Sequence, residues 1–208
     1  MKDVLTRTQI ETMRRGCDKV VRGMMAADGA RSGNRGSHRY SFGSAPGFFE
    51  AQEEWSVLID PPVLMECLNA IFQSPKWTYA HGAASGGDFV LPGCTEYQAL
   101  HRDTGDYLND ASGRLDFRDM PCASITVNFP MEVAPGSDIG HTSFNGVTRH
   151  IPGTQKSRES IPSLEEEPKW MKLSTTNPVP AGSVMIRDQR AWHGGTTVIS
   201  DCRFRKKY

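Results

Sequence analysis

The chain carries no surplus of charge of either sign: Lys and Arg together number 24, Asp and Glu together number 24, and the formal net charge is zero. A protein that grips a nucleic-acid backbone needs a basic excess or a basic stripe. The local run of cations is Arg203, Arg205, Lys206 and Lys207 at the end of the sequence, so no nucleic-acid partner is expected. Cysteine is sparse as well. There are five, at 17, 67, 94, 122 and 202, and no two form a CxxC pair. An odd, scattered set argues against a disulfide framework and for reduced thiols. No stretch approaches the roughly 20 apolar residues of a membrane span. The opening Met1-Lys2-Asp3 leads into no apolar run of the signal-peptide kind, and the expectation is a cytoplasmic protein without a membrane partner.

What is there is an ordinary globular composition, 38% hydrophobic and 23% charged over 208 residues, enough for one domain with a real core. We expect a single domain over 1–208, with a helical buttress at 1–75 and a strand-rich core at 76–208. Thr8-Gln9-Ile10-Glu11 has the form of a capping box. Apolar residues then recur at Ile10, Met13, Cys17, Val20, Val21 and Met24, a helical spacing that should stop near Asp28-Gly29. Residues 29–46 are rich in Gly, Ser and Arg and read as a surface loop. A second helix is expected from Asp60-Pro61-Pro62 to Ser74-Pro75, with Pro tolerated in its first turn. Beyond residue 76, short β-prone runs alternate with turn residues: Trp77–Ala80, Asp88–Leu91, Thr95–His101, Ser124–Phe129, Val147–Ile151 and Ser183–Ile186. Such a texture predicts a sandwich or barrel rather than a parallel α/β sheet. Residues 104–120 and 154–178 are polar and irregular, and read as substrate loops.

Two short segments carry the chemistry. In His101-Arg102-Asp103 the i and i+2 side chains of a strand share a face, which sets an imidazole beside a carboxylate. Two such ligands and a distant third make the open facial site of a non-heme iron enzyme. The same tripeptide spells the catalytic loop of a protein kinase, but Leu108 stands where that loop needs Asn, and no Gly-rich loop or DFG accompanies it. The second segment, Trp192-His193-Gly194-Gly195-Thr196, places a His before two glycines, which allow close backbone approach and leave room for a small molecule. His193 lies 92 residues after His101, so only a folded sheet can unite them. Arg203 and Arg205 share strand parity, and either guanidinium could pair with a carboxylate. Gln98, Thr148 and Thr196 are further candidates for hydrogen bonds to a cosubstrate. His38, His81, His141 and His150 have no partner at ligand spacing and read as structural or surface residues.

Taken in order, these segments resemble the phytanoyl-CoA dioxygenase family of Fe(II)/2-oxoglutarate oxygenases. Tyr97-Gln98-Ala99-Leu100-His101-Arg102-Asp103 is similar to the family's metal-binding strand. Asn145-Gly146-Val147-Thr148-Arg149-His150-Ile151-Pro152-Gly153-Thr154-Gln155 is similar to its "NG…IPGSH" segment, with Gln155 in place of the His. Pro180-Ala181-Gly182-Ser183-Val184 resembles the turn that leads to the distal His. The likeness spans roughly residues 95–205. It implies an all-β core with flanking N-terminal helices, folded as a double-stranded β-helix (a jelly-roll, cupin-like barrel). It implies Fe(II) on His101, Asp103 and His193, with 2-oxoglutarate and O₂ consumed to oxidise a C–H bond of a small organic metabolite and release succinate and CO₂. The family's cosubstrate arginine usually falls 11 residues after the distal His, where Phe204 stands here, so Arg203 and Arg205 both remain candidates. Related halogenases lack the carboxylate, and Asp103 points instead to hydroxylation or a kindred oxidation. Two other classes remain: a cupin-like metalloprotein acting without 2-oxoglutarate, and a non-catalytic metal-binding barrel.

Overall fold

The computed structural model describes residues 1–45, 53–73, 85–105, 112–131 and 145–198. Helix α1 (Arg7–Ala27) begins directly after Thr6, whose hydroxyl accepts from the Gln9 amide while the Gln9 side chain accepts from the Thr6 amide. The box expected at Thr8–Glu11 thus forms two residues earlier. The cause lies upstream: the Val4 and Leu5 amides both donate to the Gly182 carbonyl, so the chain is held extended up to Thr6 and can turn helical at once. Ile10 and Met13 are buried with Leu5, Phe42, Trp55 and Leu58, and Cys17, Val20 and Met24 continue the same stripe. The helix closes at Asp28, as its sequence predicts.

Strand β1 (Arg39–Ala45) follows, inside the segment that reads as a loop. Its Tyr40 and Phe42 point inward between short polar residues, an alternation too brief among glycines to announce a strand. The short helix α2 (Glu53–Ser56) contributes Trp55 to the core. Helix α3 (Pro62–Phe72) starts with Pro in its first turn, as expected, and stops one residue before the left-handed Gln73. Its Leu64 and Leu68 pack with Val4 and Val184, and each such buried side chain contributes about 1.5–3 kcal/mol.

Strand β2 (Ser85–Val90) pairs antiparallel with β1, and Tyr40 stacks on Phe89 at 4.8 Å. After a 3₁₀ turn at Phe117–Asp119 come β3 (Ile125–Asn128) and β4 (Thr148–His150). The segment expected to be an irregular loop holds a 3₁₀ turn at Thr154–Lys156, helix α4 (Glu167–Met171) and strand β5 (Thr175–Thr176). Strands β6 (Met185–Asp188) and β7 (His193–Gly195) complete the order. Among the described residues the sheets are β1-β2, β3-β6 and β5-β4-β7, all antiparallel. The molecule is therefore strand-rich behind an N-terminal helix, and no single closed barrel is traced by these pairings. The run expected at Trp77–Ala80 lies outside the described residues. No described helix is long and apolar enough to cross a membrane.

The β3–β6 pair has two unlike faces. Ile125, Val127 and Ile186 pack towards α3. Alternate residues point the other way, and the register sets Thr126 opposite Arg187 and Asn128 opposite Met185. That polar face borders the candidate site.

A candidate metal centre

The segment before His101 is not a regular strand, yet it docks edge-on to β7. The amides of His101 and His193 each donate to the other's carbonyl at 2.9 Å, and Gln98 donates to the Gly195 carbonyl at 3.0 Å. The register β4–β7 then sets His150 opposite His193. Directly opposed residues in antiparallel strands share a face, so His101, His193 and His150 stand in one row across three chain segments. Asp103 joins from the turn beyond His101, its amide held by the Gln189 carbonyl at 2.9 Å.

The side chains converge. The His193 Nε2 lies 3.3 Å from Asp103 Oδ1, and the His101 Nε2 lies 3.8 Å from the same oxygen. The imidazole centroids are 4.2 Å apart at 49°, and one donor atom from each residue falls within 4.8 Å of the others. Each ring is aimed by the same device: Nδ1 of His101 meets the Ala99 carbonyl at 2.9 Å, and Nδ1 of His193 meets the Ala191 carbonyl at 2.9 Å. With the proton on Nδ1, both Nε2 lone pairs face the carboxylate, the usual arrangement of metal-ligating imidazoles. Burial lowers the pKa of His101 and favours the neutral ring, helped by the neighbouring His193. Burial alone would raise that of Asp103. The proximity of His193 and of the Arg187 guanidinium outweighs it and holds the carboxyl well below the usual range. Two imidazoles and one carboxylate are a fitting donor set for a divalent transition metal. His193 is buried, whereas the side chains of His101 and Asp103 are 37% and 32% exposed, so the cluster opens on their side.

The arrangement behind these groups is rigid. Gly194 is required by packing: a Cβ there would lie 2.6 Å from the Gln98 carbonyl. At Gly195 it would meet the Arg39 guanidinium at 2.4 Å. The space beside these glycines is thus taken by the neighbouring chain and by Arg39, which crosslinks the Glu96 and Thr196 carbonyls. The outer face of β4 carries Arg149, buried and paired with Glu167 of α4. Arg149 also donates to the Gln98 carbonyl, and Glu167 accepts from the Leu100 amide. This clamp ties the expected substrate loop to the segment that presents His101. Trp192 lies between Leu100 and Ile151, edge-on to Trp170 at 5.2 Å, as core.

Of the cosubstrate candidates, Gln98 uses its amide oxygen to accept from the Gly195 amide at 3.0 Å. Thr196 donates to the Val147 carbonyl at 2.8 Å. Thr148 pairs with Gly195 and so shares the His193 face. Arg203 and Arg205 lie outside the described residues, as do His81 and His141. Two groups went unread in the sequence. His150, expected to be structural, stands in the histidine row, and burial together with the charges of Arg187 and His193 lowers its pKa. Arg187, 9% exposed, sends Nη2 to Asp103 Oδ2 at 2.8 Å and sets Nη1 3.0 Å from His193 Nδ1. Thr126 donates to the same Asp103 oxygen at 3.1 Å.

No family model matches the chain, and no curated protein is similar in sequence. Solved structures do match. That of HygX from Streptomyces hygroscopicus with nickel and 2-oxoglutarate bound is 13% identical, over 96% of this chain and 76% of that one, at a TM-score of 0.53. Its apo form aligns over 96% and 75% at 13% identity, with a TM-score of 0.47. The chain has the fold of the first of these structures.

Proposed function

We propose that this protein is an Fe(II)- and 2-oxoglutarate-dependent oxygenase of the phytanoyl-CoA dioxygenase type that oxidises a small organic metabolite. The observation that carries the reading is the convergence of His101, Asp103 and His193, drawn from segments 92 residues apart, into a cluster with both Nε2 atoms turned to one carboxylate. The HygX structure, solved with nickel and 2-oxoglutarate, supports it through the shared fold. A double-stranded β-helix is the arrangement we infer for the strands.

In this reading His101, Asp103 and His193 hold the iron, and Arg203 or Arg205 receives the far carboxylate of 2-oxoglutarate. Iron(II) with 2-oxoglutarate and O₂ supplies the oxidising power: 2-oxoglutarate is converted to succinate and CO₂, and a substrate C–H bond is oxidised. The protein's own part is geometric and electrostatic. The Ala99 and Ala191 carbonyls fix the proton on each Nδ1 and so reserve Nε2 as a lone-pair donor. Thr126 and Arg187 occupy Asp103 Oδ2 and leave Oδ1 turned to the imidazoles. Thr148, opposite Gly195 on the face that carries His193, offers a hydroxyl to the cosubstrate, whereas Gln98 and Arg39 brace the chain around Gly195.

The test is an anaerobic titration of metal-free protein with Fe(II) and 2-oxoglutarate, with His193→Ala in parallel. We expect the visible charge-transfer band of the chelate in the native protein and its loss in the variant. Iron binding without a band would remove 2-oxoglutarate from the reading and leave a cupin-like metalloprotein or a non-catalytic barrel.

A further inference from the structure

Arg187 has more donors than acceptors. Its Nη2 is satisfied by Asp103 Oδ2, but Nε is buried and unpartnered. Its Nη1 faces His193 Nδ1 at 3.0 Å, and that nitrogen already meets the Ala191 carbonyl at 2.9 Å. When Nδ1 carries the proton, as Nε2 ligation of a metal requires, the contact with Nη1 is donor against donor. Two nitrogens of a guanidinium that is 9% exposed are then left without an acceptor, an arrangement that is costly unless an anion arrives. One neighbour on the same side is open to an anion as well: His150 Nδ1, a donor when it carries the ring proton, is buried without a partner. The buried and unpartnered Asn128 Oδ1 is an acceptor that suits a hydroxyl or amide N–H of the same ligand. Asn128 lies two residues along β3 from Thr126, which pairs with Arg187, and His150 pairs with His193.

The charges agree. A divalent metal on two neutral imidazoles and Asp103 leaves one positive charge, and Arg187 adds a second. If 2-oxoglutarate binds with its far carboxylate on Arg203 or Arg205, as the proposed function has it, one positive charge is left over on Arg187, beside the reacting centre.

We propose that Arg187, with His150 beside it, forms an oxyanion subsite next to the metal position and selects a substrate that bears a carboxylate or phosphate. The inference rests on the oxygenase reading for its account of the substrate, whereas the subsite itself can be read out by binding alone. Acetate, benzoate and inorganic phosphate, with benzamide as the neutral control, are titrated calorimetrically into Ni(II)-loaded protein with and without saturating 2-oxoglutarate. The native protein is compared with Arg187→Gln and Arg187→Lys, each checked for folding by circular dichroism. We expect at least one anion to bind and benzamide not to bind. Affinity should fall about tenfold or more in Arg187→Gln, since a hydrogen bond to a charged group is lost, and recover in part in Arg187→Lys, which restores the charge. The proposal fails if no anion binds, if benzamide binds as well as benzoate, or if Arg187→Gln binds the anions as the native protein does, which would place them on the metal. A weaker Fe(II)/2-oxoglutarate band in Arg187→Gln with unchanged anion binding would assign the arginine to the cosubstrate and overturn the proposal too. If the band is absent in all three proteins while anion binding still depends on Arg187, the oxygenase reading fails and the subsite stands.

Discussion

Two buried arginines stand on opposite sides of the strands that carry the histidines; each keeps unpartnered nitrogens, but one has a dedicated carboxylate and the other a shared one. Arg149, on the outer face of β4, has its own carboxylate in Glu167 and a backbone carbonyl in Gln98; it is 1% exposed, so its unpartnered Nε and Nη1 are closed off from any ligand. Arg187, on the inner face of β6, shares Asp103 with two imidazoles and Thr126. A charge paired with a dedicated partner braces a fold. A charge that draws on a carboxylate other groups also use is available for chemistry. The outer arginine should therefore matter to stability and the inner one to binding.

The comparison can be broken most directly from the outer side. Glu167→Ala strands the Arg149 charge in a closed space and frees the Leu100 amide, so it should cost about 3–5 kcal/mol in chemical denaturation. A loss under about 1 kcal/mol would mean that the clamp does not brace the fold. Gly194→Ala is next. Its Cβ must push against the Gln98 carbonyl, which we expect to cost about 1–3 kcal/mol and to weaken metal uptake by spreading His101 from His193. Full metal affinity in this variant would show that the two segments need not touch. Arg187→Gln should cost only about 1 kcal/mol, because Asp103 keeps contact with water and an expensive desolvated cation is removed. Loss of folding in that variant would erase the distinction between the two faces.

The smallest effect concerns acid. His101 and His150 have pKa values below their ordinary 6.5, so near and below that value the unfolded chain binds protons that the folded one refuses. Stability rises with pH wherever the unfolded state holds more protons. Metal-free protein should thus lose stability as pH falls from 7.5 towards 5, on top of the later loss when Asp103 is protonated. A flat denaturation midpoint across that range would show that neither ring is held neutral by the fold.

Much of this was legible in the residues, for reasons that are local. Helical spacing from Ile10 to Met24 and Pro at the start of α3 act within one element, and the closeness of His101 and Asp103 in sequence brings them together, although through a turn held by Gln189 rather than by strand parity. What escaped depended on partners far away. The choice of Thr6 over Thr8 as the cap rests on hydrogen bonds to Gly182. Glu167 looked like part of a polar loop because its partner, Arg149, lies in another strand. His150 did leave a signal: it is two residues from Thr148, so a strand that turns Thr148 to the site must turn His150 there as well. Arg187 left none, because the turn at 189–192 breaks strand parity between it and His193. Arg203 and Arg205, expected from the sequence as cosubstrate ligands, lie outside the described residues.

The reciprocal backbone bonds between His101 and His193 have a kinetic consequence. They close a loop of 92 residues, and the entropic cost of such closure must be met before the contact stabilises anything. Neither segment alone offers a metal more than one histidine, or one histidine and a carboxylate. If the cluster holds a metal as proposed, tight capture needs both segments joined and so reports that step of folding. A chain that has formed its helices and the β1–β2 pair but not joined these two segments would look substantially folded by circular dichroism and yet lack the cluster that the proposed metal needs.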